Sequence, residues 1–451
     1  MDRIDVESLR ARLDGNVIAR DDPHYESTRC EMLWNRLLPD AFPELIVRVR
    51  SEADVATAVR AARQLGLGVA VRGRGHQWGG SALRNGTLLI DLAALDALSI
   101  DPAARTASLQ PGVTGRAFCR ALAPHGLAFP IGHCGSVPLS GYLLSGGLGW
   151  NMGAWGPACA SVEAVEMVTA DGACITANDR SHADLLWAAR GAGPWFFAVA
   201  TRFHVRVQPL PGAVVSSTYV YPLDCTDAVA QFAAPLAPSL ARFVELRLFL
   251  CAPPQSSQFA CILTAVAFAD SAAAAAAALQ VLEGCPVRDR CIMASTRQPT
   301  PFDSLVDNVD AMFPERHRYL ADALWLNASA ADVLPTLRER IAQAPSAKSA
   351  ILCALTPVPP GLPDMAFSIS ARTFVGCYAT WDDPRNDARN RAWHNATTAP
   401  LQAQAVGRYV GEGDIAGDRS HAANAFSAAS WARLRELRRR YDPDGLFGAS
   451  D

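Results

Sequence analysis

The chain has 451 residues and a formal net charge of −3; half of its residues are hydrophobic and 19% are charged. This length suffices for two or three domains with a large core, and the near-neutral charge gives no electrostatic reason to expect nucleic acid or a membrane surface as partner. The longest apolar stretches are far shorter than a membrane span. The first residues are charged and lack the apolar region of a secretory signal, so we expect a cytoplasmic protein.

The twelve cysteines are scattered along the chain and form no CxxC motif. This distribution is typical of buried thiols in a reducing compartment rather than of a disulfide framework. The chain has no HExxH motif and no paired Cys/His spacing of the zinc type. We therefore predict no metal site.

Residues 44–207 show a succession of strand and helix patterns. The segment 44–50 alternates like a strand, and Ser51 with Asp54 forms a capping box for a helix that ends at Gly66. Further strands are predicted at 68–73, 88–92, 107–112 and 162–172, a short helix at 114–123, and a helix, turn and long strand over 183–207.

The composition changes near residue 210, and residues 211–400 are rich in Ala and Pro. Segments 217–223, 242–250 and 259–269 are predicted to be antiparallel strands of one sheet, and the alanine run in 271–284 favours a helix. A last helix is predicted before Pro443, with an apolar face made of Trp431, Leu434, Leu437 and Tyr441.

The first glycine-rich loop, residues 72–76, follows directly on a predicted strand and ends in His76. Closely spaced glycines let backbone N–H groups point at a bound anion, for which a pyrophosphate is the obvious guest. A tight turn carrying a surface histidine is the alternative. The spacing is not GxGxxG and no Walker lysine follows, which disfavours Rossmann and P-loop sites.

The second loop, residues 132–149, holds six glycines in eighteen residues and the thiol of Cys134. Close approach of the backbone to a flat cofactor would explain this density, whereas a buried structural thiol is the alternative for Cys134. One imidazole and one thiol on two such loops suggest a flavin attached to the protein at two points.

Five motifs in order carry a resemblance to a known family: the two loops, VTADG at 168–172, RGAGPWFF at 190–197 and RRRYDPDGLF at 438–447. Together they resemble the FAD-linked oxidases of the berberine-bridge-enzyme type, in the vanillyl-alcohol-oxidase superfamily. The resemblance implies an α+β, two-domain PCMH-type FAD-binding fold whose substrate domain is an antiparallel sheet backed by helices. The implied divisions are an FAD domain at 1–210, a substrate domain at 211–400 and a segment at 401–451 that returns to the FAD domain.

The resemblance also implies a bicovalent FAD. His76 matches the histidine of R-x-x-G-H that bonds the flavin 8α-methyl carbon, and Cys134 matches the cysteine that bonds flavin C6. The other implied cofactor contacts are Arg72, Gly73, Arg74, Gly75 and Gln77 at the pyrophosphate, Ser136, Val137, Ser140, Gly141, Tyr142, Gly146, Gly147 and Gly149 along the ring and ribityl chain, and Val168 near the adenosine.

In this family a small residue three positions after the cysteine lets dioxygen reach the flavin, and Val137 matches it. The resemblance therefore implies an oxidase that oxidises a C–H next to O or N of a small molecule, or closes a ring oxidatively, and returns dioxygen as hydrogen peroxide. Secondary metabolism is the expected setting. The alternatives are a dehydrogenase or redox-neutral flavoprotein on the same scaffold, and a flavin-binding protein without turnover.

The catalytic base does not follow from the resemblance. The family's glutamate position holds Ala366 here, and its usual asparagine position holds Gly411. The candidates that remain are acidic or phenolic side chains, a retained arginine and an aromatic wall: Glu412, Asp364, Tyr142, Tyr378, Tyr409, Arg372 and Trp78. Surface ion pairs are the alternative for the two carboxylates, and a core position is the alternative for Trp78.

Overall fold

The computed structural model describes residues 6–413 and 420–448, without the side chains of residues 307–311 and 420–421. Within these ranges the strands are β1 (Asn16–Ala19), β2 (Leu45–Arg48), β3 (Gly68–Arg72), β4 (Thr87–Asp91), β5 (Leu98–Asp101), β6 (Thr106–Leu109), β7 (Leu127–Ala128), β8 (Val162–Val168), β9 (Cys174–Asn178), β10 (Val199–Arg206), β11 (Gln208–Pro209), β12 (Ala213–Pro222), β13 (Val244–Cys251), β14 (Ala260–Ala269), β15 (Met293–Pro299), β16 (Arg318–Leu326), β17 (Ala350–Ala354), β18 (Thr373–Trp381) and β19 (Ala405–Arg408).

The helices over the same ranges are α1 (Val6–Arg10), α2 (Tyr25–Glu31), α3 (Glu52–Leu65), α4 (Gly115–Leu122), α5 (Leu139–Leu144), α6 (Met152–Trp155), α7 (Ala183–Ala189), α8 (Thr226–Leu236), α9 (Ala272–Leu279), α10 (Phe302–Met312), α11 (Ala330–Ala342), α12 (Asp387–Gln402), α13 (Ser420–Ala423) and α14 (Ala428–Tyr441). Short 3-10 helices lie at Ala123–His125, Ala158–Ser161, Gly193–Trp195, Leu223–Cys225, Ala237–Ser239, Gln280–Gly284, Arg288–Arg290 and Pro384–Asn386.

The first sheet has the strand order β1-β2-β4-β3, with β4 parallel to both β2 and β3. The connection between β2 and β3 is α3, whose ends are those predicted: the Ser51 side chain accepts from the Asp54 amide, and Gly66 closes the helix at φ +69°. Because β3 ends at Arg72, the first glycine loop leaves the sheet at its edge strand.

The second sheet is antiparallel, with the order β5-β6-β10-β8-β9, and contains the strands predicted at 107–112 and 162–172 and the long strand predicted before residue 207. The second glycine loop lies between β7 and β8, so the chain that follows it enters the second sheet at β8. The C-terminal segment adds to the edge of the first sheet, because the Val69 amide donates to the Leu446 carbonyl at 2.6 Å. The first sheet and the terminal helix α14 are thereby joined.

The third large sheet is antiparallel, with the order β15-β12-β14-β13-β17-β18-β16-β19. It contains the three strands predicted between residues 217 and 269, and helices α8, α9, α11 and α12 pack against it. The helix predicted over 271–284 is α-helical only to Leu279 and continues as a 3-10 turn to Gly284.

Two clusters of buried apolar side chains account for most of the core. One draws mainly on residues before 207 together with Leu434, Leu437 and Phe447 near the C-terminus. The other draws on residues 215–401 and lies between the eight-stranded sheet and its helices. Among the described residues, no helix is long and apolar enough to cross a membrane.

Candidate active site

A cavity of about 890 Å³ connects the two glycine loops, the eight-stranded sheet and helix α14. It brings together most of the side chains and loop positions that the sequence singled out, which lie far apart along the chain. Its lining includes Arg72, Gly73, Arg74, Gly75, His76, Gln77, Trp78, Cys134, Val137, Ser140, Gly141, Tyr142, Tyr378, Tyr409, Gly411 and Glu412.

Two arginine side chains of the first loop anchor it to neighbouring parts of the protein. Arg72 donates from Nη1 to Asp91 at 2.5 Å and from Nε to the Met32 carbonyl at 2.7 Å. Arg74 donates from Nε to the Gly112 carbonyl at 2.8 Å. Both guanidinium groups are therefore hydrogen-bonded to the protein, which anchors the loop at the edge of the cavity.

The backbone of this loop offers a row of hydrogen-bond donors. Within residues 6–413 and 420–448, the amides of residues 74–78 donate to no protein acceptor, an arrangement that suits a bound anion. Gly75 adopts φ +74°, and a Cβ there would lie 2.1 Å from the Met32 carbonyl oxygen. A Cβ on Gly73 would lie 2.7 Å from Ser140 Oγ. The loop thus fits the pyrophosphate of a dinucleotide cofactor.

The second loop uses three of its glycines in a different way from the one expected. Gly146, Gly147 and Gly149 do not line the cavity, and a Cβ on them would collide with Phe367, with the Tyr142 ring and with Tyr142 Oη at 2.5, 2.9 and 2.2 Å, respectively. Their small size is required for packing around protein side chains. Ser136 and Val168, also expected at the cofactor, lie outside the cavity lining as well.

Tyr142 is enclosed by this packing. Its hydroxyl donates to the Pro130 carbonyl at 2.6 Å, and burial raises its pKa well above the ordinary value. The expectation of an acid–base role is not supported, because the proton is held by a backbone carbonyl behind the cavity wall.

His76, at the end of the first loop, contacts the second loop. Its ring stacks on Trp34 with a centroid separation of 5.1 Å, and it is hydrogen-bonded to the backbone of Ser136. Burial, with smaller effects of Arg72 and Arg74, lowers its pKa to about 4. The imidazole is therefore neutral near pH 7.

Cys134 lines the same cavity, two residues before Ser136. Burial raises the pKa of Tyr319 and of Tyr378, and the charge of a Cys134 thiolate contributes to both shifts. The thiol is therefore within electrostatic reach of both tyrosines, of which Tyr378 also lines the cavity.

An aromatic wall faces these two nucleophiles. Trp78 makes ring contacts with Trp34, Phe313, Tyr319 and Tyr378 at centroid distances of 5.2–6.2 Å. Such a wall excludes water and provides flat surfaces for a planar ligand. Trp78 therefore forms part of the cavity wall.

A phenol and a carboxylate meet at this end of the cavity. Tyr378 donates to Glu412 Oε2 at 2.6 Å. Burial raises the pKa of Glu412 above its ordinary value although the Tyr378 hydrogen bond lowers it, and burial and Glu412 raise the pKa of Tyr378. Gln77 donates to the Gly413 carbonyl at 3.3 Å, which links this segment to the first loop.

Tyr409, also a candidate from the sequence, accepts hydrogen bonds from the amides of Gly147 and Leu148 at 3.2 and 3.3 Å. Its ring packs on Phe374 within a small apolar cluster. Burial raises its pKa. The contacts make it a support for the second loop as well as part of the wall.

Two of the catalytic candidates from the sequence lie outside the site. Arg372 is exposed just before β18 and does not line the cavity, so its proposed catalytic position is wrong in geometry. Asp364 accepts from Trp187 at 2.9 Å and from Arg433 at 2.8 Å, and its side chain is 79% exposed. It is a surface ion pair, which was the alternative for this residue.

A charged group on β13 was not among the residues predicted from the sequence. Arg247 lines the cavity and pairs with Glu245, and its Nη2 lies 2.5 Å from His133 Nε2. The available signal was two charged residues within an otherwise apolar strand pattern. The described residues contain no group of three His, Cys, Asp or Glu side chains that could hold a metal.

Comparison with known proteins identifies the family of the chain. The sequence profile of an FAD binding domain matches residues 43–178. The FAD-linked oxidoreductase nodO of Hypoxylon pulicicidum is 30% identical over 432 residues, which is 93% of each chain. The chain belongs to the FAD-linked oxidoreductases.

Solved structures agree on the fold of this FAD-linked oxidoreductase. 6-Hydroxy-D-nicotine oxidase from Arthrobacter nicotinovorans superposes with a TM-score of 0.84 over 96% of both chains at 22% identity. BBE-like 1 of Physcomitrella patens gives a TM-score of 0.83 over 99% of this chain and 98% of its own at 18% identity. The predicted PCMH-type fold and FAD-linked oxidoreductase class are confirmed, and the cofactor is FAD.

We expect Gly75→Ala to impair the first loop severely. The substituted residue would keep a positive φ and place its Cβ 2.1 Å from a backbone carbonyl, so the loop would have to move. The backbone strain alone costs about 1–3 kcal/mol. Thermal unfolding and the flavin absorbance of the purified protein check this result.

The matched control is Gly86→Ala. Gly86 has the similar φ of +68°, but no atom lies within 4 Å of a Cβ built there. This control should lose stability without losing flavin. Equal unfolding temperatures and equal flavin content in the two variants would show that the close approach at Gly75 is not needed.

Proposed function

We propose that this FAD-linked oxidoreductase is an oxidase with bicovalently bound flavin, attached through His76 and Cys134. It would take a hydride from a C–H next to O or N of a small metabolite, or close a ring oxidatively, and pass the electrons to dioxygen to give hydrogen peroxide. The observation that carries the proposal is that His76 and Cys134 line one cavity, where the His76 ring is hydrogen-bonded to the backbone of Ser136, two residues after Cys134. Residues 1–210 and 401–451 would hold the FAD and residues 211–400 the substrate.

The electronic state of His76 supports attachment. A lowered pKa leaves an imidazole lone pair free for bond formation near pH 7, and stacking on Trp34 fixes the ring. The amides of residues 74–78 would bind the pyrophosphate. Bound FAD supplies the two-electron acceptor, and the protein supplies position, proton transfer and oxygen access.

The Tyr378–Glu412 pair is the base that the geometry favours. A substrate O–H or N–H would give its proton to the Tyr378 oxygen while the phenolic proton moves to Glu412 across the 2.6 Å hydrogen bond. The raised pKa of Glu412 makes the carboxylate a stronger base than one in water. Arg247 and the aromatic wall would orient the substrate against this pair.

The test of the oxidase proposal is the reaction of the reduced enzyme with oxygen. Dithionite-reduced protein mixed with aerated buffer in a stopped-flow instrument should regain its oxidised flavin spectrum rapidly and release hydrogen peroxide. Slow reoxidation would assign the protein to the dehydrogenases. A colourless protein made with ample riboflavin would contradict the whole proposal.

We expect Val137→Leu to slow this reoxidation while leaving anaerobic reduction by dithionite unchanged. Val137 is half-buried in the cavity lining, three residues after Cys134 on the same loop, and a larger side chain there would fill the space that oxygen needs. Val137→Ala is the control and should reoxidise at least as fast as the unmodified enzyme. Equal reoxidation rates in all three proteins would show that Val137 does not control the access of oxygen to the flavin.

A further inference from the structure

Arg247 projects from β13 into the same cavity and is held in place by three other residues. Its Nη2 donates to the Glu245 carboxylate and lies 2.5 Å from His133 Nε2, and its guanidinium carbon lies 4.4 Å from the Trp150 ring centre. Glu245 in turn accepts from the Met152 amide at 3.1 Å. The side chains of Arg247 and Glu245 are 10% and 3% exposed, so the orientation of the guanidinium is fixed.

The guanidinium keeps donors for a ligand. Of its five N–H groups, the two on Nη2 are directed to Glu245 and His133. Among the described residues, the Nε–H and the two Nη1–H groups reach no protein acceptor, and neither nitrogen is among the fully buried atoms that lack a hydrogen-bond partner. A nearly buried arginine with open donors calls for an oxygen acceptor from outside the chain.

These open donors lie at the reacting end of the cavity. The electrostatic influence of Tyr378 reaches Arg247, and Phe249, on the same strand, adds an apolar surface. The Cys134 loop lies alongside, since His133 is the neighbour of Cys134 in sequence. An oxygen bound to Arg247 would therefore lie near both the Tyr378–Glu412 pair and the attachment residues.

The charges around Arg247 indicate which kind of oxygen fits. Glu245 balances the guanidinium, and burial together with Arg247 lowers the pKa of His133 well below its ordinary value, so that His133 adds no charge. A substrate carboxylate would give this enclosed group a net negative charge in addition to that of Glu412. A neutral oxygen would take the same hydrogen bonds without this cost.

We propose that Arg247 binds a neutral oxygen acceptor of the substrate, a carbonyl or hydroxyl oxygen, beside the bond that is oxidised. The inference deepens the proposed function and rests on it, since the oxygen belongs to the molecule that the enzyme oxidises. Arg247 thereby selects oxygenated over hydrocarbon substrates and neutral over anionic ones.

Ligand-observed NMR titrations of the purified holoenzyme test this without turnover. The probes are acetophenone, ethylbenzene and benzoate, which differ in carrying a carbonyl, no oxygen or a carboxylate. Acetophenone should bind about 10-fold or more tightly than ethylbenzene, the scale of one hydrogen bond to a charged group, and more tightly than benzoate. Arg247→Met should abolish the preference for acetophenone, whereas Arg391→Met, an exposed arginine of the same lining, should retain it.

Arg247→Met leaves the Glu245 carboxylate buried without its partner and could prevent folding. The double variant Glu245→Gln, Arg247→Met removes both charges and should fold while lacking the preference. Equal binding of acetophenone and ethylbenzene, or a preference that survives in the double variant, would overturn the proposal; tighter binding of benzoate would identify an anion site instead. Flavin attachment and reoxidation, measured on the same samples, report separately on the proposed function.

Discussion

The double variant His76→Ala, Cys134→Ser is expected to lose all covalent flavin. Acid denaturation of the unmodified protein should leave the yellow colour with the precipitated chain, and each single variant should retain it through the remaining bond. Only the double variant should release the colour into the filtrate. The mass of the intact denatured chain gives the same answer independently.

The reason for this result lies in how the cavity presents its nucleophiles. The neutral imidazole of His76 and the thiol of Cys134 lie on adjoining loops that line one cavity. Attachment at two points keeps the cofactor bound when either bond is missing, so the effect of the two substitutions is far from additive. The remaining noncovalent contacts, mainly the amides of residues 74–78, do not survive unfolding.

The matched control is the double variant His24→Ala, Cys174→Ser, which carries the same two types of substitution but removes an exposed imidazole and an exposed thiol outside the cavity. It should retain the flavin fully. Colour in the filtrate of the unmodified protein would contradict the double attachment. Retention of colour by the His76/Cys134 double variant would place the attachment on other residues.

Much of the fold near the site follows from local sequence signals. Ser51 and Gly66 bound α3 because a capping hydroxyl and a left-handed glycine act within one helical turn. The alternation in 217–223, 242–250 and 259–269 predicts strands, and the structure places them in one antiparallel sheet. These features depend on neighbours in sequence, which is why a single sequence is sufficient to find them.

Features that depend on distant packing were not predicted. Gly149 is required by packing against the Tyr142 hydroxyl and does not line the cavity, whereas a run of glycines in the sequence looks the same for packing and for cofactor contact. Arg372 matches a family position, yet it is exposed at the start of β18. The Arg247 group combines a strand of the eight-stranded sheet with the second glycine loop, a contact between residues 114 positions apart.

The second large effect is expected from Glu412→Gln, which should lower kcat by about 10²- to 10⁴-fold, the usual contribution of a general base. Glutamine has nearly the same shape and can still accept the hydrogen bond from Tyr378, so the fold and the flavin content should be unchanged. A substrate found by peroxide release from alcohol, sugar and amine panels allows the rate of anaerobic flavin reduction to be measured. Asp364→Asn, which alters a carboxylate outside the cavity, should leave this rate unchanged.

The pH dependence distinguishes a base from a structural residue. The ionised form of Glu412 is the active one, so the reduction rate should fall as the pH falls through the pKa of Glu412, which burial raises above 4.5. Glu412→Gln should remove this dependence. Tyr378→Phe deletes the hydrogen bond that lowers the pKa of Glu412, and should therefore shift the fall to higher pH as well as reduce the rate. A pH profile that is the same in all three proteins would show that the proton leaves by another route, because the group that titrates in the rate would then not be Glu412.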